Sequence, residues 1–126
     1  MEKIADRMVK FDSTSFGSVT IDGKRYSDVL VIEGKVMPRK RDLLRKVFGT
    51  SHKISEDEAG QLLKGAPQVV IIGSGQSGVL EVDESIRKEL SQKAELIILQ
   101  TPGAIKKFNE LACLGKKVNA LIHTTC

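Results

Sequence analysis

The sequence is poor in the residues that mark several protein classes: it has two cysteines, three prolines and no tryptophan, and only 4% of its residues are aromatic. Two cysteines are too few for a disulfide scaffold, so a hydrophobic core has to stabilise the fold. The longest aliphatic runs, VVII and LIIL, are far shorter than the roughly 20 residues of a membrane-spanning helix. The opening segment MEKIADRMVKF lacks the apolar core of a secretory signal. We therefore expect a soluble protein of the reducing cytoplasm.

Positive charge is in slight excess: the net charge is +4 and the pI is near 9.1. Much of the excess lies in KVMPRKRDLLRK, between Lys35 and Lys46. The scarcity of aromatic residues and the lack of a helix-turn-helix signature argue against nucleic acid as the partner. A solvated loop or a protein-docking edge is the preferred interpretation. The candidate partner-binding residues are Arg39, Lys40, Arg41, Arg45 and Lys46.

The first third of the chain predicts a β-meander over residues 11–37, after an amino-terminal extension of about ten residues. FGSVTIDGKRYSDVLVIEGKV alternates apolar and polar residues around Asp22-Gly23, a dipeptide typical of tight hairpin turns. We expect strands over 17–21, 24–26 and 28–32, followed by a turn at 33–35. Residues 38–53 form a basic loop in this prediction, although its Leu43, Leu44, Val47 and Phe48 also fit a helical turn.

The remainder, residues 54–126, predicts an α/β arrangement. Ser55 and Glu58 have the spacing of a capping box, which predicts a helix over 56–64. Strand and helix patterns then alternate: QVVII, a helix over 84–93 capped by Asp83, ELIILQ, a helix over 102–114 capped by Thr101, and KVNALIH. This βαβαβ order predicts right-handed crossovers and parallel strands within a single α/β domain.

A glycine-rich stretch, VVIIGSGQSGVLEV, has the G-x-G-x-x-G spacing of a dinucleotide-binding turn. In that motif a helix follows the glycines directly, and an acidic residue about 20 positions later binds the ribose. Here VLEV intervenes, and Gln100 and Thr101 stand where the acid would be. We therefore expect no nucleotide cofactor, and we interpret the glycines as a sharp turn at the end of a buried strand.

The same turn nevertheless belongs to a predicted pocket, because ligands of parallel α/β sheets bind beyond the carboxyl ends of the strands. Three strand ends should converge there, and free backbone N–H groups could hold a small anion or a peptide carboxylate. The candidate ligand-binding residues are Gly73, Ser74, Gly75, Gln76, Thr101, Gly103 and His123.

No set of residues predicts catalysis or a metal site. His123 and Cys126 in HTTC could form a nucleophile pair or half of a zinc site, but the chain has no C-x-x-C and only His52 and Cys113 as further soft ligands. A hydrogen-bonded structural histidine is the preferred interpretation. Asn109 should sit at the edge of an apolar helix face, where a local backbone hydrogen bond would explain it.

The pattern of Thr101, Ala104, Asn109, Gly115, Val118, His123 and Cys126, with VVIIGSGQSGVLEV and FGSVTIDGKRYSDV, resembles a family of small uncharacterised domains. That family includes the adipogenesis-associated domain protein and, more distantly, the mitochondrial assembly factor of respiratory complex I. The resemblance implies a three-layer α/β domain with a mixed sheet and a projecting β-hairpin. It implies no established reaction and supplies no catalytic residues.

Two functional hypotheses follow from the sequence. The first is a non-enzymatic cytoplasmic module that binds a protein partner or assists an assembly, using the basic region. The second is a small-molecule or anion-binding protein, or an enzyme, that uses the pocket at the strand ends. The sequence leaves homo-oligomerisation open.

Overall fold

The computed structural model describes residues 9–50 and 52–126. Within these residues the chain forms eight strands and four helices. The strands are β1 (Phe11–Ser15), β2 (Ser18–Ile21), β3 (Lys24–Tyr26), β4 (Val29–Ile32), β5 (Lys35–Pro38), β6 (Val69–Ser74), β7 (Glu95–Leu99) and β8 (Val118–His123). The helices are α1 (Arg41–Phe48), α2 (Glu56–Leu62), α3 (Glu84–Lys93) and α4 (Thr101–Cys113).

A five-stranded mixed sheet in the order β5-β4-β8-β6-β7 forms the centre of the molecule. Strand β6 runs parallel to both β7 and β8, whereas β4 runs antiparallel to β8 and β5. All residues of β6 and β8 are buried, because helices or strands cover both faces of the sheet. This arrangement confirms the predicted α/β fold with its partly parallel mixed sheet and βαβαβ half.

Two hydrophobic clusters separate three layers. On one face of the sheet, Ile105 and Phe108 of α4 and Phe11 of the small sheet pack against the central strands. On the other face, Leu62 of α2 and Leu90 of α3 pack against the alternate side chains of the same strands. Because successive strand residues point to opposite faces, each central strand contributes to both clusters.

The predicted meander is divided between two sheets. Strands β1, β2 and β3 form a separate antiparallel sheet, and β4 belongs to the central one. The turn at Asp22-Gly23 is confirmed, with φ angles of 49° and 83°. The small sheet ends at Tyr26, and β4 begins at Val29. Between them, the buried Asp28 side chain points into a polar network. The alternation of apolar and polar residues predicts strands, but it does not predict which sheet each strand joins.

The ends of two helices differ from the prediction. The capping box of α2 is confirmed, because the Ser55 hydroxyl accepts from Glu58 N–H and the Glu58 carboxylate accepts from Ser55 N–H, both at 3.1 Å. Helix α3 has the predicted bounds, but the Asp83 side chain makes no capping hydrogen bond. Thr101 is not the cap of α4 but its first residue, because its hydroxyl bonds to neighbouring strands instead.

Helix α1 lies in the segment predicted as a basic loop, so the helical alternative holds there. It ends at Gly49, whose φ of 77° is the left-handed conformation that commonly stops a helix. No helix within residues 9–50 and 52–126 is both long and apolar enough to cross a membrane.

Candidate functional site

The glycine loop after β6 meets the ends of β7 and β8. The Thr101 hydroxyl donates to the His123 carbonyl at 2.5 Å and accepts from Gly75 N–H at 3.0 Å. The Ser74 hydroxyl donates to the Leu99 carbonyl at 3.1 Å. The structure therefore brings Ser74, Gly75, Thr101 and His123 to one edge of the sheet, as the parallel order requires.

The two outer glycines of the predicted pocket are placed differently. Gly73 lies inside β6, where an added methyl group would stand 3.0 Å from both the Thr101 hydroxyl and Ile122. Gly103 is exposed in the first turn of α4, with nothing closer than 3.9 Å to an added methyl group. Close packing therefore explains Gly73, whereas the structure places no such demand on Gly103.

Residues 124–126 of the same chain lie against the glycine loop. Ser77 N–H and Val79 N–H donate to the Cys126 main-chain oxygen at 3.1 and 2.9 Å, and Gln76 N–H donates to the Thr125 carbonyl at 2.7 Å. A methyl group at Gly75 would collide with the carbonyl group of Cys126. These backbone donors thus already have acceptors, and a ligand site at this edge stays a prediction.

A buried polar network lies behind this edge, centred on Asp28. Its carboxylate is 2.7 Å from His123 Nδ1 and 3.0 Å from Arg39 Nη1, and it accepts from both the N–H and the hydroxyl of Thr124 at 2.8 Å. Burial alone would raise the pKa of Asp28, but hydrogen bonding and attraction to His123, together with the bonds from Thr124, hold it well below its usual range. Asp28 is therefore a buried carboxylate anion.

Arg39 extends the network toward α2. Its Nε and Nη2 donate to the two oxygens of Glu58 at 2.7 and 3.0 Å, and Nη2 also donates to the Lys53 carbonyl at 2.8 Å. Arg39 is only 5% exposed. It therefore belongs to the interior, whereas the sequence placed it among the partner-binding residues of the basic region.

His123 stands between an acid and a hydroxyl. Because a carboxylate can only accept, Nδ1 carries a proton toward Asp28, and Nε2 lies 3.1 Å from the Thr125 hydroxyl. The His52 ring packs edge-on against it at 4.9 Å. An acid, a histidine and a hydroxyl in line can transfer protons. His123 is fully buried, however, so this arrangement serves as an internal polar core.

The sequence did not predict this network. Asp28 and Glu58 are 30 positions apart in the sequence numbering and 95 and 65 positions from His123. The one local signal is an acidic residue directly before the buried strand VLVI, which requires partners that only the fold can supply. Within residues 9–50 and 52–126, no group of three or more His, Cys, Asp or Glu side chains is arranged to hold a metal ion.

Helix α1 presents an apolar surface to solvent. Only its Leu44 is buried, while Leu43, Val47 and Phe48 are 55%, 66% and 39% exposed. The remaining basic-region residues lie in the same helix or directly before it and are exposed or half-buried: Lys40, Arg41, Arg45 and Lys46. We call these seven residues, Leu43, Val47, Phe48 and the four cations, the α1 face.

Two cavities open elsewhere on the surface. The first, of about 760 Å³, lies beside the start of α1 and is lined by Lys24, Tyr26, Lys40 and Arg41 among others. The second, of about 740 Å³, lies at the opposite edge of the central sheet from the glycine loop, between Lys64 and Lys116. We call the second the lysine cavity. Neither is lined by His123 or by the glycine loop.

The fold and its buried network define a three-layer α/β domain in which the chain itself closes the carboxyl ends of the parallel strands. The chain belongs to the family of proteins of unknown function called DUF498/DUF598, whose model matches residues 11–123. The solved structure called MT938 is 38% identical, with a TM-score of 0.78, over 94% of this chain and 100% of that one.

Two further solved structures support the fold. The conserved hypothetical protein PH1505 from Pyrococcus horikoshii OT3 is 32% identical over 93% of this chain and 99% of its own, with a TM-score of 0.78. A protein from Bordetella pertussis, described as a Mth938-like domain, is 19% identical over 98% of this chain and 89% of its own, with a TM-score of 0.61. The descriptions of these three relatives name no activity.

Proposed function

We propose that this protein is a non-enzymatic docking module of the cytoplasm that binds an acidic protein surface through the α1 face. The observation that carries the proposal is the orientation of α1, which leaves Leu43, Val47 and Phe48 exposed and buries Leu44. Contiguous exposed apolar side chains with a polar rim are typical of protein-interaction surfaces.

The charges around these side chains define the chemistry of the partner. Four cations, Lys40, Arg41, Arg45 and Lys46, flank the apolar residues, and the acidic residue of the helix is Asp42. The Asp42 carboxylate is fully exposed and 3.6 Å from Arg45, so it offsets little of that charge. A surface with an apolar centre and a rim of Asp and Glu would complement the α1 face.

The cavity beside α1 supports the same partner. Lys24, Lys40 and Arg41 line it together with Tyr26, and Lys24 Nζ lies 5.4 Å from the centre of the Tyr26 ring. An acidic side chain of the partner would find these three cations there, beside the exposed carboxylate of Asp42. Nucleic acid fits less well, because the face has one aromatic ring, Phe48, beside two aliphatic side chains, whereas single-stranded nucleic acids stack successive bases on several rings.

The test compares proteins captured from cell extract by wild type, by Leu43→Ser/Val47→Ser and by Phe16→Ser/Leu114→Ser. The control pair is 68% and 73% exposed and lies outside α1, so it removes a similar apolar area elsewhere. We expect the α1 variant to lose a specific protein that the control retains, and we expect that binding to weaken as salt rises.

Three outcomes would refute the proposal. One is an identical set of captured proteins for wild type and the α1 variant. The second is loss of the captured material after nuclease treatment, which would indicate nucleic acid. The third is retention of wild type, but not of the α1 variant, on anionic vesicles without any protein partner, which would indicate a membrane surface.

A further inference from the structure

The lysine cavity lies at the amino-terminal edge of the parallel strands, where β6 and β8 begin. Three connections border this half-open cavity of about 740 Å³: the β4–β5 turn, the loop before β6 and the turn after α4. This volume falls within the range of about 300 to 1,000 Å³ that is typical of small-molecule sites. None of its lining residues belongs to α1, so an inference about it is independent of the docking proposal.

Hydrogen bonds fix the walls of this cavity. Asn119, only 3% exposed, accepts from Glu33 N–H at 3.0 Å and donates to the carbonyls of Leu62 and Lys64 at 2.8 and 2.9 Å. Lys117 N–H donates to the Gln68 side chain at 2.9 Å. One buried amide thus ties two of the three connections together.

Backbone strain is concentrated in the same connections. Glu33 and Ala66 both have φ angles of 52°, a conformation that costs a residue other than glycine about 1 kcal/mol or more. The positive φ of Glu33 belongs to the two-residue turn that it forms with Gly34 between β4 and β5, and Ala66 lies in the loop before β6. Both lie in connections that border the lysine cavity.

The lining has two chemical parts. Its floor is apolar and includes Val9, Pro67, Phe108, Ala112 and Val118. Its charged residues are one acid and four lysines, namely Glu33, Lys35, Lys64, Lys116 and Lys117. The Glu33 side chain lies over Gly65, and Lys117 Nζ donates to the Gly65 carbonyl at 3.2 Å. The remaining lysines leave an excess of positive charge around an apolar floor.

We propose that the lysine cavity binds a small organic anion that has an apolar body and a single carboxylate or phosphate head group. The apolar body would cover the floor, and the head group would lie among the lysine ammonium groups. A cation of the same shape would meet the four lysines and be repelled. An anion without an apolar body would leave the floor in contact with water and bind weakly.

The test is a titration of the full chain, followed by NMR of the amide and methyl groups. The probes are phenylbutyrate, phenylbutylamine, which has the same body and the opposite charge, and acetate, which has only the head group. We expect phenylbutyrate to shift the signals of Val9, Ala112 and Val118, with little effect of the other two. Phenylbutyl phosphate distinguishes the head groups, since the tighter of the two anions identifies the preferred one.

Charge reversal locates the site. Lys64→Glu/Lys116→Glu removes two lining cations, and Lys88→Glu/Lys106→Glu makes the same change of net charge on exposed helix residues outside the cavity. We expect the first variant to bind phenylbutyrate at least about tenfold more weakly and the second to resemble wild type. Equal binding by the two variants, equal binding of the amine, shifts away from the cavity or no binding at millimolar concentration would overturn the proposal.

Discussion

Replacement of Asp28 by Asn tests how strongly the buried network stabilises the fold. The carboxylate accepts hydrogen bonds from His123, Arg39 and, twice, Thr124. An Asn side chain has nearly the same shape, but its NH₂ group would face a donor on either side. Without the Asp28 charge, Arg39 keeps Glu58 as an acidic partner, so the loss falls mainly on the buried donors that Asp28 accepted from.

The expected loss of stability is about 3 kcal/mol, because each buried donor left without its acceptor costs about 1 to 3 kcal/mol. This is a large part of the roughly 5 to 15 kcal/mol by which a domain is stable. The measurement is urea unfolding followed by circular dichroism, with Asp42→Asn as the control. Because the Asp42 carboxylate is fully exposed, the control should change the free energy of unfolding by less than about 0.5 kcal/mol.

The pH dependence provides a second and independent readout. The folded pKa of Asp28 lies below its unfolded value of about 4, so its charge stabilises the fold above that pH. This contribution is lost as the pH falls from about 4 through the folded pKa. Asp28→Asn cannot titrate, so the difference in stability between wild type and variant should shrink below about pH 4. A loss under 1 kcal/mol at neutral pH, or a difference that stays constant in acid, would refute the reasoning.

Two further changes test local features. Gly75→Ala should lower the free energy of unfolding by about 2 kcal/mol or more, because Gly75 has a φ of 105° and the added methyl group would meet Cys126. The control Gly17→Ala, at a φ of 88° with nothing within 4 Å of the added methyl group, should lower it by about 1 kcal/mol. Equal losses for the two variants in urea unfolding would contradict this explanation. Ser55→Ala should cost about 1 kcal/mol by removing the capping box of α2, and an effect no larger than that of the exposed Ser91→Ala would argue against it.

The features that the sequence predicted well depend on residues close together in the chain. The capping box needs only Ser55 and Glu58, and the hairpin turn needs only Asp22 and Gly23. The order of strands and helices in the second half follows from hydrophobic periodicity, and the handedness of crossovers then makes β6, β7 and β8 parallel. Each of these predictions depends only on residues within one element or within two successive elements.

The features that were missed depend on distant partners. Thr101 was expected to cap α4, but it is the first residue of that helix, and its hydroxyl bonds to the His123 carbonyl and Gly75 N–H. Asn109 was expected to make a local hydrogen bond, yet it bonds to both the N–H and the carbonyl of Phe11 and so attaches β1 to α4. No spacing rule within the sequence indicates which residue 98 positions away will be the partner.

The closed glycine loop favours a ligand site away from the carboxyl ends of the parallel strands. Parallel α/β sheets usually bind ligands at the carboxyl ends of their strands, because backbone donors are free there. Here Ser77 N–H and Val79 N–H donate to Cys126, and a buried network fills the space behind them. The lysine cavity at the opposite edge has the reverse character, with an open volume, an apolar floor and surplus cations. Binding at that edge would therefore use the end of the sheet that residues 9–50 and 52–126 leave open.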